Sequence, residues 1–477
     1  MQIRDFFPFE PTESQAVVLE GLQTFLQHGM EHSMFLLRGY AGTGKSSLVG
    51  ALAKMLAIMG HPLQLLAPTG RAAKVLQRYC GMPAHTIHRT IYRERASGSR
   101  VEYELGYNKD KIGTLYIIDE CSMINNSSDG YGTFGSGHLL DDLTEYCFGV
   151  EGTKILLIGD DAQLPPVGTD LSPALDAQYL KGYCRELFEG VLRDIVRQEE
   201  GGEIVYLSYM LRARILDLQA GGAWQEPLLP KPDVGGEVQI ISGYDLPEYL
   251  ERAYHKCGEE ETLLITRSNK EAEEYNKGIR YQSLFYDDEV LAGERLMVVR
   301  NNYLHQPVDA EGKPLSSFIA NGEILKVLNA RRDTALHGFT FREAELEDEN
   351  GGFVSAYILL ESLYNGAPAL TPEQRQSLYD SVVLDYPYCT SKRVLMQKLR
   401  QDPFLNALQV KYAYAMTCHK AQGGQWREVF ISFGYLTPEM IDLSFCRWLY
   451  TAMTRATHKL YLIDPPSFIF GSLEEEW

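Results

Sequence analysis

At 477 residues and 45% hydrophobic content, the chain is long enough for two large domains with insertions, and apolar enough to fold rather than stay disordered. A formal net charge of −19 argues against a protein that grips nucleic acid through a broad basic face; it leaves room for a narrow, locally positive groove with weak affinity for duplex. The eight cysteines (80, 121, 147, 184, 257, 389, 418, 446) contain no C-x-x-C pair, which disfavours a zinc ribbon or thioredoxin-type site and fits a reducing cytoplasm. No basic-then-apolar leader opens the sequence, and no apolar run approaches the ~18 residues of a membrane span.

In chain order, Met34–Leu37, Leu63–Ala67, Leu115–Ile118 and Ile155–Ile158 are short apolar runs ahead of turn residues. They predict buried parallel strands, each delivering the residues that follow it to the C-terminal edge of a sheet, where open α/β folds bind ligands. Between the first two, Ser46 to Met59 predicts a helix with Leu48, Leu52, Met55 and Met59 on one face and Gly60 as its stop. Residues 89–112 predict an inserted hairpin, turning at Ser97-Gly98-Ser99 between Thr90–Tyr92 and Val101–Tyr103. Ala220 to Ala223 is a hinge or helix stop, near the boundary of the two large domains at 199–223. Thr262–Thr266, Val429–Phe433 and Leu460–Ile463 predict a second parallel sheet. The interval between its strands, 291–404, mixes β-like segments (Leu296–Val299, Glu323–Leu328, Phe353–Leu360) with a charged helical stretch, and predicts a β-rich insertion.

The chemistry sits after these strands. Gly39 to Ser46 matches G-x-x-x-x-G-K-[ST]. Gly39, Gly42 and Gly44, with Thr43, let backbone N–H groups turn inward around phosphate; Lys45 reaches the β- and γ-phosphates and Ser46 ligates Mg²⁺. Asp119 ends a strand as a Mg²⁺-binding carboxylate should, and Glu120 is placed to polarise the attacking water. Gln163, after Gly159-Asp160-Asp161, can sense the γ-phosphate or orient water; a Pro-terminated surface loop is the competing reading. ATP and Mg²⁺ are therefore the expected cofactors.

Gly159 to Gly168 (GDDAQLPPVG), with Ala67 to Lys74 (APTGRAAK) and His85 to Arg89 (HTIHR), resembles the superfamily 1B helicases, nearest to their Dda and RecD-like branch. The resemblance covers nearly the whole chain, with the motifs in family order. It implies two RecA-like parallel-sheet domains in tandem: 1–88 and 113–200 form the first, with a β-hairpin pin at 89–112; 201–290 and 405–477 form the second, with an SH3-like insertion at 291–404. Carried over by residue, Gln15 with Thr12 resembles an adenine-reading motif, and Gly423 in Thr417 to Gly423 joins the nucleotide set. Arg197 and Arg455 resemble arginine fingers, although alone either arginine reads as a surface charge. Arg267, Asn269 and Asn276 resemble a second-domain motif. Pro68, Thr69, His88, Thr417 and His419 resemble the single-strand contacts, and one of Tyr92, Tyr103 and Tyr107 is a candidate wedge; for each tyrosine, ordinary hairpin packing competes.

The resemblance thus implies a monomeric, cytoplasmic, DNA-stimulated ATPase moving 5′-to-3′ on single-stranded DNA and opening tailed duplex, with a single-strand-binding protein as a further partner and no membrane contact. Two departures stand out. Ser122 to His138 is a long loop rich in Ser, Gly and Asn, and neither a RecD-type amino-terminal extension nor the Pif-branch signature is evident, so a compact stand-alone motor is expected. Two other activities remain compatible with the residues: an RNA helicase or remodeller, and a nucleotide-dependent switch that binds strands without unwinding them.

Overall fold

The computed structural model describes residues 1–95, 102–126, 135–194, 202–233, 235–315, 318–349, 351–364, 369–389 and 391–471. Its first sheet has six parallel strands, in the spatial order Ala84–Thr86, Leu63–Ala67, Leu115–Ile118, Lys154–Gly159, Met34–Gly39, Leu187–Leu192. The four expected runs occupy its centre, where both faces are covered and a strand must be apolar throughout. One face packs the helices Glu13–His28, Lys45–Ile58 and Gly70–Cys80 through Leu19, Leu22, Leu48, Leu52 and Leu76; the other packs Leu139–Phe148 and Ile87–Ile91. Leu48, Leu52 and Met55 are buried as expected, but Met59 is 56% exposed. It caps the helix beyond the edge of the core, and Gly60, at φ +67°, ends it.

A second parallel sheet runs Val238–Ile241, Ala456–Ile463, Trp426–Ser432, Thr262–Thr266, Ala415–Thr417. The helices Glu203–Gln219 and Leu443–Met453 cover one face through Leu207, Leu211, Phe445 and Leu449. Glu203–Gln219 ends at Ala220, where Gly221 takes φ +89° and the Gly222 amide donates to the Asp217 carbonyl at 2.9 Å, so this stretch is a helix stop. The two parallel sheets make a tandem pair of RecA-like domains.

The β-rich insertion is a five-stranded antiparallel sheet, Phe353–Leu359, Phe339–Asp348, Ile324–Leu336, Arg295–Val298, Val410–Tyr412. Two departures from the expected limits follow from this pairing. The closing strand Val410–Tyr412 lies past 404, and the strand Phe339–Asp348 falls in a stretch where none was expected. The helices Pro372–Val383 and Lys392–Gln401 supply the charged helical stretch and bury Leu378, Val382 and Leu399 against Phe339 and Phe341. In the first domain, Tyr92–Arg95 pairs antiparallel with Glu102–Leu105, making the hairpin; Thr90 and Ile91, expected as strand, end the preceding helix, and the Ser97–Ser99 turn lies outside the described residues.

Candidate nucleotide site and single-strand face

The strand Met34–Gly39 delivers the glycine loop at its C-terminal end. Gly42 and Gly44 hold φ of +77° and +85°, which a side chain would resist. A Cβ on Gly39 would stand 3.0 Å from the Thr43 hydroxyl and 3.1 Å from Leu192, so the loop closes tightly on itself and on the edge strand. The buried Thr43 hydroxyl donates to the Tyr40 carbonyl at 2.7 Å. Lys45 Nζ donates to the Gly39 and Tyr40 carbonyls at 2.6 and 3.0 Å, so the ammonium lies across the loop. Ser46, in the first helical turn, is exposed.

Asp119 follows the central strand Leu115–Ile118. Its carboxylate accepts from the Tyr79 hydroxyl and, at 2.9 Å, from the Glu120 amide. Burial pushes the Asp119 carboxyl up, opposed by the Tyr79 hydroxyl, the Glu120 amide and the Lys45 charge. Glu120 sits at φ +54°, a left-handed conformation that costs a non-glycine residue energy and re-aims its side chain. Burial raises the Glu120 carboxyl too, and Arg455 is the foremost charge holding it down. Asp160 is fully buried and likewise raised by burial, with Lys45 the first of the groups opposing it. Gln163 is also buried, and its Oε1 has no hydrogen-bond partner, which suits a group meant for a substrate or water oxygen's proton.

The second domain closes on this cluster. Tyr450 Oη accepts from the Ala41 amide of the glycine loop at 2.9 Å and donates to Asp160 at 2.8 Å. Thr451 Oγ1 accepts from the Leu164 amide at 2.9 Å, and Gln422 donates to the Leu164 carbonyl at 2.7 Å. Arg455 is buried, against the surface position its residue type suggests. Its guanidinium donates to the carbonyls of Thr451 and Gly424 at 3.0 and 3.1 Å and to the Thr454 hydroxyl at 3.1 Å. Arg212, which the sequence did not single out, lies 2.9 Å from the centre of the Tyr40 ring and seats the loop from the second-domain side. Arg197 lies outside the described residues.

Three expected site residues are engaged otherwise. Gln15 is 1% exposed, with Oε1 accepting from Thr12 N at 3.0 Å and Nε2 donating to the Thr43 carbonyl at 3.0 Å. Both amide groups are thus committed to a helix cap and to the glycine loop, not aimed outward at a base. Gly423, at φ +73°, faces the first domain's Ala72 and Thr69, where a Cβ would stand 2.8 and 3.2 Å away; it belongs to the domain contact and not to the phosphate loop. Asn276 is a structural clamp: its side chain donates to the Ala415 carbonyl at 2.8 Å and accepts from the Tyr414 and Ala415 amides. Arg267 donates to the Tyr435 carbonyl at 3.1 Å beside the Phe445 and Trp448 rings, and Asn269 opens the helix Asn269–Gly278.

Pro68 and Thr69 lie at the C-terminal edge of the first sheet, where Thr69 caps the helix Gly70–Cys80 by accepting from the Ala72 amide at 3.2 Å. His88 is half-buried, its ring 5.6 Å from Tyr92. Thr417 and the exposed His419 lie at the corresponding edge of the second sheet. Beside them Lys420 lines a pocket with Asn269, Lys411 and Thr417. Of the three tyrosines, Tyr92 is buried with its hydroxyl donating to Asp142 at 2.7 Å, and Tyr103 is buried against Tyr303 of the insertion at 4.7 Å between ring centres. Both are packing residues; Tyr107 is 83% exposed.

A half-buried lysine in the glycine loop, strand-end carboxylates, a buried glutamine and an arginine from the second domain meet between two parallel sheets, the arrangement of a two-domain P-loop protein. Comparison with known proteins agrees: a family described as AAA domain matches residues 19–212, and one described as UvrD-like helicase C-terminal domain matches residues 412–463. The ATP-dependent RecD2 DNA helicase of Deinococcus radiodurans is 32% identical over 161 residues, 34% of this chain and 19% of that protein. The ATP-dependent DNA helicase dda of Enterobacteria phage T4 is 23% identical over 314 residues, 62% of each. Each match thus spans less than two thirds of the relative. Among solved structures, the Pif1 helicase from Bacteroides in complex with ADP-AlF3 and single-stranded DNA aligns with a TM-score of 0.48 and 17% identity over 97% of this chain and 93% of that one. The two family models and these partial matches support the resemblance to superfamily 1B helicases of the RecD and Dda type. Among the described residues, no helix is long and apolar enough to cross a membrane.

Proposed function

We propose that this chain is an ATP-driven motor that moves 5′-to-3′ on single-stranded DNA and unwinds tailed duplex. The observation that carries the reading is the domain contact at the glycine loop: Tyr450 joins Ala41 to Asp160 while Arg455, on the same second-domain segment, acts on Glu120. A nucleotide there is read by both domains at once, so its hydrolysis changes their contact. Lys45 holds the β- and γ-phosphates, Glu120 and Gln163 align the attacking water, and Arg455 meets the charge that develops on the γ-phosphate, as does Arg197 by family resemblance. Ser46 and Asp119, a hydroxyl and a carboxylate, form a donor set of the hard oxygen type that Mg²⁺ prefers; the ion neutralises phosphate charge when bound. Gln15 reads adenine only by exchanging its present bonds.

Thr69, Pro68 and His88 on one sheet edge and Thr417 and His419 on the other are proposed to grip the strand through phosphates and stacking, without sequence readout. The relatives' action on DNA supports DNA over RNA, and polarity rests on the family resemblance. A monomer in the cytoplasm, assisted by a single-strand-binding protein, is the simplest working form.

Strand separation on paired substrates, one with a 5′ tail and one with a 3′ tail, tests the proposal. Opening of the 5′-tailed duplex alone is the expected result; opening from the 3′ tail alone overturns the polarity. If single strands stimulate ATP hydrolysis but neither duplex opens, the chain is a switch or acts on RNA. Lys45→Ala should abolish hydrolysis, and Arg455→Ala should keep nucleotide binding while lowering turnover about 10³-fold or more. Normal turnover in either variant removes that residue from the site.

A further inference from the structure

The helix Gly70–Cys80 touches both functions at its two ends. At its start, Thr69 stands at the proposed strand face. Arg71 lies over the Trp426 ring of the second domain, 3.8 Å from its centre, and Ala72 lies where a Cβ on Gly423 would come within 2.8 Å. At its end, Tyr79 donates its hydroxyl to Asp119, the carboxylate assigned to Mg²⁺. The Tyr79 carbonyl abuts the helix Lys45–Ile58 so closely that a Cβ on Gly50 would stand 2.9 Å away. Both ends are thus in near-backbone contact, one with the second domain and one with the nucleotide-loop helix. Between them lie about two helical turns, roughly 10 Å of a stiff element whose buried face carries Ala73 and Leu76. A packed helix shifts as a body rather than bending, so a displacement imposed on its first turn arrives at Tyr79.

We propose that Tyr79 is a positioning residue which couples occupancy of the strand face to the Mg²⁺ carboxylate. Strand binding and domain closure set the helix, the helix sets the Tyr79 hydroxyl, and that hydroxyl fixes the orientation of Asp119. The inference rests on the proposed function. It goes beyond it in naming a residue outside both proposed contact sets and a path by which one site reaches the other.

The test is binding rather than turnover. A fluorescent ADP analogue is titrated with Mg²⁺, with and without an oligothymidylate of about 16 nucleotides. In the unaltered chain the oligonucleotide should lower the half-saturating Mg²⁺ concentration about fivefold or more. Tyr79→Phe keeps the ring and its packing, which a thermal melt verifies. It should bring the two half-points together while leaving nucleotide affinity in excess Mg²⁺ within about twofold, a difference too small to signal a damaged pocket. An equal shift in the variant overturns the proposal. So does the absence of any shift in an unaltered chain that binds both ligands. Failure of the unaltered chain to bind nucleotide or oligonucleotide at all is a distinct result, which removes the functional reading and this inference with it.

Discussion

Tyr450 shows how much one hydroxyl can carry. It satisfies a glycine-loop amide and a buried carboxylate, and it lies on a different domain from both. Tyr450→Phe leaves the Ala41 amide without that partner and Asp160 with only the Ala162 amide at 3.0 Å, so it should destabilise the fold by about 1–3 kcal/mol in urea melts. A double-mutant cycle with Asp160→Ala should show a coupling of about 0.5 kcal/mol or more; strict additivity would mean the two residues do not act together. At this scale the sequence was legible in local placement, as for Lys45 at the end of the glycine loop and Asp119 and Glu120 just after a strand, and opaque where placement comes from distant segments. Arg455 is buried because Gly424, about thirty residues earlier, presents its carbonyl to it. Gln15 resembles a base reader by its motif, and local sequence carries no trace of its bond to Thr43 in another loop.

Among elements, the strands buried on both faces announced themselves as apolar runs, and Leu63–Ala67, Leu115–Ile118 and Thr262–Thr266 have the expected limits. The insertion was harder to read because its strands alternate. Phe339–Asp348 buries Phe341, Ala344 and Leu346 while its Arg and Glu residues face outward or pair, so its hydrophobic signal is diluted by charge. The short turn into the helix Cys418–Ala421 places Lys420 in a confined pocket, where burial and then the Lys411 charge depress its ammonium to about 8. With that value the ammonium is mostly charged at pH 7 and mostly neutral at pH 9, and we propose that the charged form adds a phosphate contact to those of the adjacent Thr417 and His419. Single-strand affinity should therefore fall over that interval by about 1 kcal/mol, roughly fivefold. Lys420→Arg, which stays charged, should flatten the decline. A decline unchanged in the arginine variant would place the titrating group elsewhere.

For the whole molecule, a net charge of −19 leaves acidic residues at its internal contacts as well as on its surface. The insertion meets the first domain through such a contact: Glu349 pairs with Arg71 and Lys74 at 3.4 and 3.5 Å, and Glu323 lies against Gly70. Burial pushes the Glu323 carboxyl up to about 7; Asp348 and Glu349 raise it further, while the Ala320 backbone and Lys74 oppose. Because this folded value lies above the ordinary carboxylate range, the folded chain holds a proton that the unfolded chain has released. Stability from this site is present at acid pH and is lost as pH rises from about 4.5 towards 7, beyond which the full cost of the buried charge remains. Glu323→Gln keeps the shape and removes the charge. It should stabilise the chain by about 1–3 kcal/mol at pH 8 and by little at pH 4.5, in paired urea melts of the two proteins. The difference between the two melts isolates this group from the other carboxylates. A gain equal at both pH values would mean that Glu323 is ionised throughout and that its contact with the helix Gly70–Cys80 is indifferent to charge.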